Sequence, residues 1–102
     1  MTNEELRIAI AKAKGWGCMS GIWLGPLEPD GTRVALYDLP AWPTSIADAW
    51  ELWDEMKEYV TIWFDSVQLV WVVYNESNAK YIDDITVLRA VCEAWLAWKV
   101  AK

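Results

Sequence analysis

The apolar positions fall into three stretches of helical period, separated by shorter stretches that alternate or run continuously apolar. The first opens on Thr2-Asn3-Glu4-Glu5, the pattern of a capping box: the Thr2 hydroxyl can accept from the Glu5 amide while the Glu5 carboxylate accepts from the Thr2 amide. Leu6, Ala9, Ile10 and Ala13 follow on one face, Lys12 and Lys14 fall in the last turn, and Gly15 and Gly17 stop the run. This predicts a helix over residues 3–14. Residues 20–25 alternate, with Ile22 and Leu24 opposite Trp23, and predict a short strand. Pro26 to Gly31 holds two prolines and an Asp-Gly pair and reads as a turn, leading to a second strand from Arg33 to Tyr37 and so to a hairpin.

Leu39-Pro40-Ala41-Trp42-Pro43 must be a loop, because two of its residues lack an amide donor. Thr44 or Ser45 then caps a helix over residues 45–58, with Asp48 placed to return the bond. Its apolar stripe is Ile46, Ala49, Trp50, Trp53 and Met56, and its acidic stripe is Glu51, Asp54, Glu55 and Glu58. Val60–Phe64 and Val67–Tyr74 are rich in β-branched and aromatic residues, with Asp65-Ser66 as the turn between them. The second run is apolar on both faces, which predicts a central strand covered on both sides. Asn75 to Asn78 is a polar loop, and Asp83 or Asp84 caps a last helix over residues 84–100.

The expected fold class is therefore α+β, an α/β sandwich in the order α-β-β-α-β-β-α. It has a four-stranded, mostly antiparallel sheet with helices on both faces, and residues 1–102 form a single domain. The last helix is polar only along Thr86, Arg89 and Glu93. So wide an apolar circumference calls either for neighbours on several sides or for a second copy, and a homo-oligomer through residues 84–100 is one expectation.

Composition narrows what such a domain does. Hydrophobic residues make up 55% of the 102, which is a globular share, and the net charge of −6 argues against non-specific binding to nucleic acid or anionic lipid. No run approaches the roughly 18 consecutive apolar residues of a membrane span. The acidic start is unlike a secretory signal, so the protein is expected to remain where it is made, with Cys18 and Cys92 as free thiols. The chain has no histidine. That removes the commonest general base, the Ser-His and Cys-His nucleophile pairs, and the commonest transition-metal ligand. Neither a phosphate-cradling loop nor a dinucleotide fingerprint occurs. No catalytic residue, metal or cofactor is expected. The acidic stripe reads first as a solvated face, and Asp83-Asp84 as a helix cap rather than an acid pair.

The outstanding feature is nine tryptophans. Trp50, Trp53, Trp71 and Trp95 sit on patterned apolar faces and are expected in the core. Trp16, Trp23, Trp42, Trp63 and Trp98 lie on loops, at strand edges or away from those faces, and are expected to be partly exposed. Exposed indoles stack on nucleobases or anchor protein interfaces. The candidate ligand-binding set is Trp16, Trp23, Trp42 and Trp98, with Arg33, Lys80 and Arg89 as the cations to meet a phosphate.

Three segments carry a family resemblance: Met1-Thr2-Asn3-Glu4-Glu5-Leu6 with Ile8-Ala9 and Gly15-Trp16, then Leu39-Pro40 with Ser45-Ile46-Ala47-Asp48-Ala49-Trp50, then Val91-Cys92-Glu93-Ala94-Trp95-Leu96. Together they resemble the phage ABA sandwich domain proteins. The resemblance implies a sheet between helical layers and a bacteriophage accessory protein acting in the host cytoplasm, and it carries over no catalytic motif. The chain departs from that pattern in its extra tryptophans, among them Trp53, Trp63 and Trp98. The expectation that follows is a non-enzymatic protein that counters bacterial immunity by sequestering a small nucleotide-type signal. The alternatives are an acidic inhibitor docking on a host defence or nucleic-acid enzyme through Asp48, Glu51, Asp54, Glu55 and Glu58, and a structural or assembly component of the virion.

Overall fold

The computed structural model describes residues 1–100. Helix α1 spans Asn3–Ala13, and both bonds of the capping box are made, Glu5 N to Thr2 Oγ1 at 3.1 Å and Thr2 N to Glu5 Oε1 at 3.0 Å. It ends in a Schellman stop. Gly15 takes a φ of 83°, its amide reaches the Lys12 carbonyl, and the Trp16 amide reaches the Ala11 carbonyl at 3.0 Å. Glycine is needed there because a side chain disfavours the left-handed conformation.

Three strands follow where two were expected: β1 (Gly17–Met19), β2 (Ile22–Leu27) and β3 (Arg33–Leu36), antiparallel in that order. The missed strand β1 pairs Met19 with Ile22 across Ser20-Gly21, both at positive φ, a two-residue hairpin turn. Strand β2 runs through Pro26 to Leu27, so the turn lies later than predicted and closes with Glu28 N to Thr32 O at 2.7 Å.

Helix α2 spans Ile46–Met56 and runs into one 3-10 turn at Lys57–Tyr59. Ser45 caps it by accepting from the Asp48 amide. The return bond is not made; the Asp48 carboxylate accepts from the Ala41 amide instead, at 2.9 Å, and fastens the proline loop to the helix start.

The second sheet holds β4 (Val60–Asp65), β5 (Val70–Asn75) and β6 (Lys80–Asp84), antiparallel with β5 central. Its two turns are built alike. Asp65 and Asn75 each end a strand and accept backbone amides of the following loop, and Leu69 and Ala79 close those loops at φ of 58° and 53°. Asp83 and Asp84 thus belong to β6, not to a helix cap. Helix α3 starts at Val87, where the Thr86 hydroxyl accepts from the Arg89 amide.

The architecture is α+β, with three helices and two three-stranded antiparallel sheets in the order α-β-β-β-α-β-β-β-α. The single four-stranded sheet is not what forms, because the two hairpin-built groups each pair only within themselves. Helix α3 lies on the second sheet and packs against α1 and α2. Leu6 and Ile10 of α1, Leu52 and Met56 of α2, Val73 of β5 and Ala90, Val91, Cys92, Trp95 and Trp98 of α3 fill the core. Each buried Leu- or Ile-sized side chain contributes on the order of 2 kcal/mol. Much of the apolar girth of α3 is thus covered within one chain, by two helices and a sheet. Helices on both faces of the sheet are likewise not what forms: Ile62, Val73 and Ile82 face the core and α3, and among the described residues no helix packs substantially on the opposite face of β4-β5-β6. Among the described residues, no helix is long and apolar enough to cross a membrane.

Candidate functional site

The candidate residues divide among separate places. Trp16, Trp42 and Trp98 do come together, but around the chain's own lysines. Trp16 lies 5.5 Å from Trp42. The Lys14 ammonium sits 5.0 Å from the Trp95 ring centre and 5.9 and 6.0 Å from those of Trp16 and Trp42. The Lys99 ammonium lies 5.8 Å from Trp95 and 5.9 Å from Trp98. Glu55 bridges the two, at 3.3 Å from Lys14 and 3.9 Å from Lys99. Trp42 and Trp98 are buried, contrary to the exposure expected of them, and Trp16 is half-buried. The arrangement is a cation–π layer over one end of the core, with Lys14 and Lys99 standing where a ligand's cation would otherwise meet the rings.

Two of the three cations are committed elsewhere. Arg89 holds Asp84 at 3.1 Å, Glu93 at 3.1 Å, the Met1 carbonyl at 2.6 Å and the Asn3 side chain, and so pins the chain start to α3 and β6. Burial, the hydrogen bond to Asp84 and the charge of Asp84 outweigh Arg89 and push the Glu93 carboxyl up to about 7. Burial tends to raise Asp84 too, but the hydrogen bond from Glu93, the Thr86 amide and Arg89 together hold it below the usual range. Arg33 is exposed on the first sheet and donates to the Gly25 carbonyl at 3.1 Å, tying β3 to β2. Trp23, half-buried on β2, packs on the core from that sheet. Lys80 is exposed and borders a cleft of about 570 Å³ with Met1, Leu6, Glu93 and Leu96, whose walls are mainly apolar.

The acidic row of α2 is also partly used. Asp48 holds the Ala41 amide, Asp54 pairs with Lys57 at 3.2 Å, and Glu55 holds the two lysines. Trp50, expected in the core, is 53% exposed; it stacks on Trp53 at 5.7 Å and flanks a shallow cleft with Ile46 and Ala47. Burial lifts the Cys92 thiol to about 12, so it stays protonated, while Cys18 is exposed. Among the described residues, no three of Cys, Asp and Glu gather as metal ligands.

What stands open is the uncovered face of the second sheet. Register places Thr61, Tyr74 and Tyr81 in one row and Trp63, Val72 and Asp83 in the next. Side chains alternate between faces along a strand, so these six share the side away from α3. Trp63 meets Tyr81 edge-on at 6.1 Å and 81°, and Tyr81 stacks on Tyr74 at 4.5 Å. Rings from β4 and β6 thus meet over β5 at Val72, which is only 9% exposed, while Trp63 is 40% and Tyr81 66% exposed. No lysine or arginine stands in either row. Trp63 is part-exposed, as its place at a strand edge predicts, but its grouping with Tyr74, Tyr81 and Asp83 is not evident from local pattern. The signal was the alternation of Tyr81-Ile82-Asp83, legible only once Lys80–Asp84 is read as a strand.

Neither a protein-family model nor a curated protein matches the sequence. The fold is similar to that in the 2.0 Å crystal structure of a phage protein from Bacillus cereus ATCC 14579, with a TM-score of 0.70 and 20% identity over 100% of this chain and 90% of that one.

Proposed function

We propose that this chain is a phage accessory protein that acts in the infected bacterium by docking on a host protein, without chemistry of its own. The observation that carries the reading is the exposed ring cluster of Trp63, Tyr74 and Tyr81 on a sheet face that no helix covers. Exposed tryptophan and tyrosine contribute most of the binding energy in many protein interfaces. The absence of histidine, and the engagement of Glu93 and Asp84 with Arg89, support binding over catalysis. Phage origin is supported by the fold of the Bacillus cereus phage protein and by the resemblance to the ABA sandwich proteins. Countering a bacterial defence is the role this reading assigns.

The test is capture from host lysate by the tagged chain and by a Trp63→Ala/Tyr81→Ala variant. A host protein retained by the first and lost by the second is the expected result; equal retention would move the docking surface elsewhere.

A second reading, sequestration of a small nucleotide-type signal, is favoured by the parallel Tyr74–Tyr81 pair, which offers a flat face to a base. Against it stands the lack of a cation in these rows to meet a phosphate. Calorimetry with cyclic dinucleotides and ADP-ribose decides it: heat that disappears on Tyr81→Ala supports sequestration, and no heat from any of them removes it.

A further inference from the structure

We infer that the open face of the second sheet seats a cationic side chain of its partner, arginine before lysine, between the Trp63 and Tyr81 rings and the Asp83 carboxylate. The inference rests on the docking reading above and names the chemistry of the partner.

Asp83 lies across Val72 from Trp63 in the same row and two residues along β6 from Tyr81, on the same face. Its carboxylate is exposed and, among the described residues, takes part in no hydrogen bond or ion pair. The other carboxylate of the face, Asp65, is occupied by the amides of Val67 and Gln68. The two rings stand nearly perpendicular, at 81°. A planar group can therefore stack on one ring and point its edge along the sheet. Guanidinium suits that corner. It is flat, weakly hydrated, stacks on aromatic faces, and carries paired N–H donors that match a carboxylate. An ammonium finds the same rings and charge but cannot stack.

The charge pattern also selects among occupants. A second copy paired face to face through this surface would set Asp83 and Asp65 against the same acids with no cation to separate them. Nucleic acid would bring phosphates to the same carboxylates. A basic segment of another protein meets both the rings and the charge, and the net charge of −6 would steer it inward.

The experiment titrates the full chain, by amide and indole NMR, with a capped Gly-Arg-Gly-Arg-Gly peptide and its lysine and glutamine counterparts. The arginine peptide is expected to move the Trp63 indole N–H and the amides of Tyr81 and Asp83 first, the lysine peptide to do so more weakly, and the glutamine peptide not at all. Asp83→Asn is expected to weaken arginine binding at least about threefold and Trp63→Ala to weaken it further. Asp83 is exposed, so its variant should keep the fold, and Tyr81→Leu serves where Trp63→Ala does not. Shifts spread over the whole acidic surface, or unchanged affinity in Asp83→Asn, would overturn the inference. Host-protein capture lost in Trp63→Ala/Tyr81→Ala but kept in Asp83→Asn would leave the docking face standing and remove the cation seat alone.

Discussion

The ammonium of Lys14 stands 5.0 Å from the centre of the Trp95 ring, at the point where α1 ends and α3 begins its last two turns. Trp95 is fully buried, and Lys14 reaches it past Trp16 and Trp42 while pairing with Glu55 at 3.3 Å. A cation held among rings and partly out of water is worth more than one on the surface, about 1–2 kcal/mol. Lys14→Met, which keeps the stem and removes the charge, should therefore lower stability by about that amount. For a domain of this size each kcal/mol corresponds to about 4–8 °C in Tm. Thermal unfolding followed by tryptophan fluorescence measures it, and Lys14→Arg should recover most of the loss.

A second expectation concerns pH. Glu93 has its folded pKa raised to about 7 from an ordinary 4.5, so the native state binds this proton more tightly than the unfolded chain. Between those values the unfolded state carries fewer protons, and stability falls as pH rises. The contribution is fully present below about 4.5 and lost as pH passes about 7. With the side chain about a quarter exposed, the decline should be about 2 kcal/mol. Asp84, lowered from 3.8, acts in the opposite sense and at more acid pH: its stabilisation is lost as pH falls through its folded value. Urea unfolding at about pH 5 and about pH 8 should show the drop in the natural chain. Glu93→Gln, neutral at both, should be nearly flat between them.

The matched turns of the second sheet supply a third. Leu69 and Ala79 sit at φ of 58° and 53°, where a side chain crowds the following carbonyl. Leu69 is exposed, so removing its side chain sacrifices little burial. Leu69→Gly and Ala79→Gly should each raise stability by about 0.5–1 kcal/mol, strain relief exceeding the added freedom of the unfolded chain. The midpoint of chemical denaturation checks both, and a drop at either site would show that the turn tolerates its side chain without strain.

Local features were legible in the sequence and distant ones were not. The capping box and the Gly15 stop need only neighbouring residues, and both formed as read. The Ser20-Gly21 turn falls inside the strand expected over residues 20–25, and assigning Gly17 to the helix stop hides β1. Trp42 shows the other limit. Its loop holds Pro40 and Pro43 and looks like surface, yet Arg7 on α1 grips the carbonyls of Leu39 and Pro40 as well as Asp38, and so folds Leu39 and Trp42 into the core. Contacts made across thirty residues leave no mark in periodicity. On α2, Ala49 and Met56 were placed correctly, but Leu52 completes the buried stripe, while Ile46 and Trp50 turn to solvent. Both arrangements satisfy helical spacing, and only the neighbours choose between them. The two-sided apolar character of β5 was real, but aromatic side chains from β4 and β6 cover Val72 where a helix was expected. Of the candidate ligand residues, the structure brought three tryptophans together with their cations already supplied.

Splitting six strands into two groups of three leaves four lateral borders, each with backbone donors and acceptors that no neighbour strand takes. Along β6 the charges of Lys80, Asp83 and Asp84 discourage a foreign strand from adding itself. Strand β4 has no such guard: Val60-Thr61-Ile62-Trp63-Phe64 is uncharged until Asp65. Of the second sheet's two borders, that stretch is the one more open to an added foreign strand when the fold loosens, and the rings that favour recognition are set directly upon it.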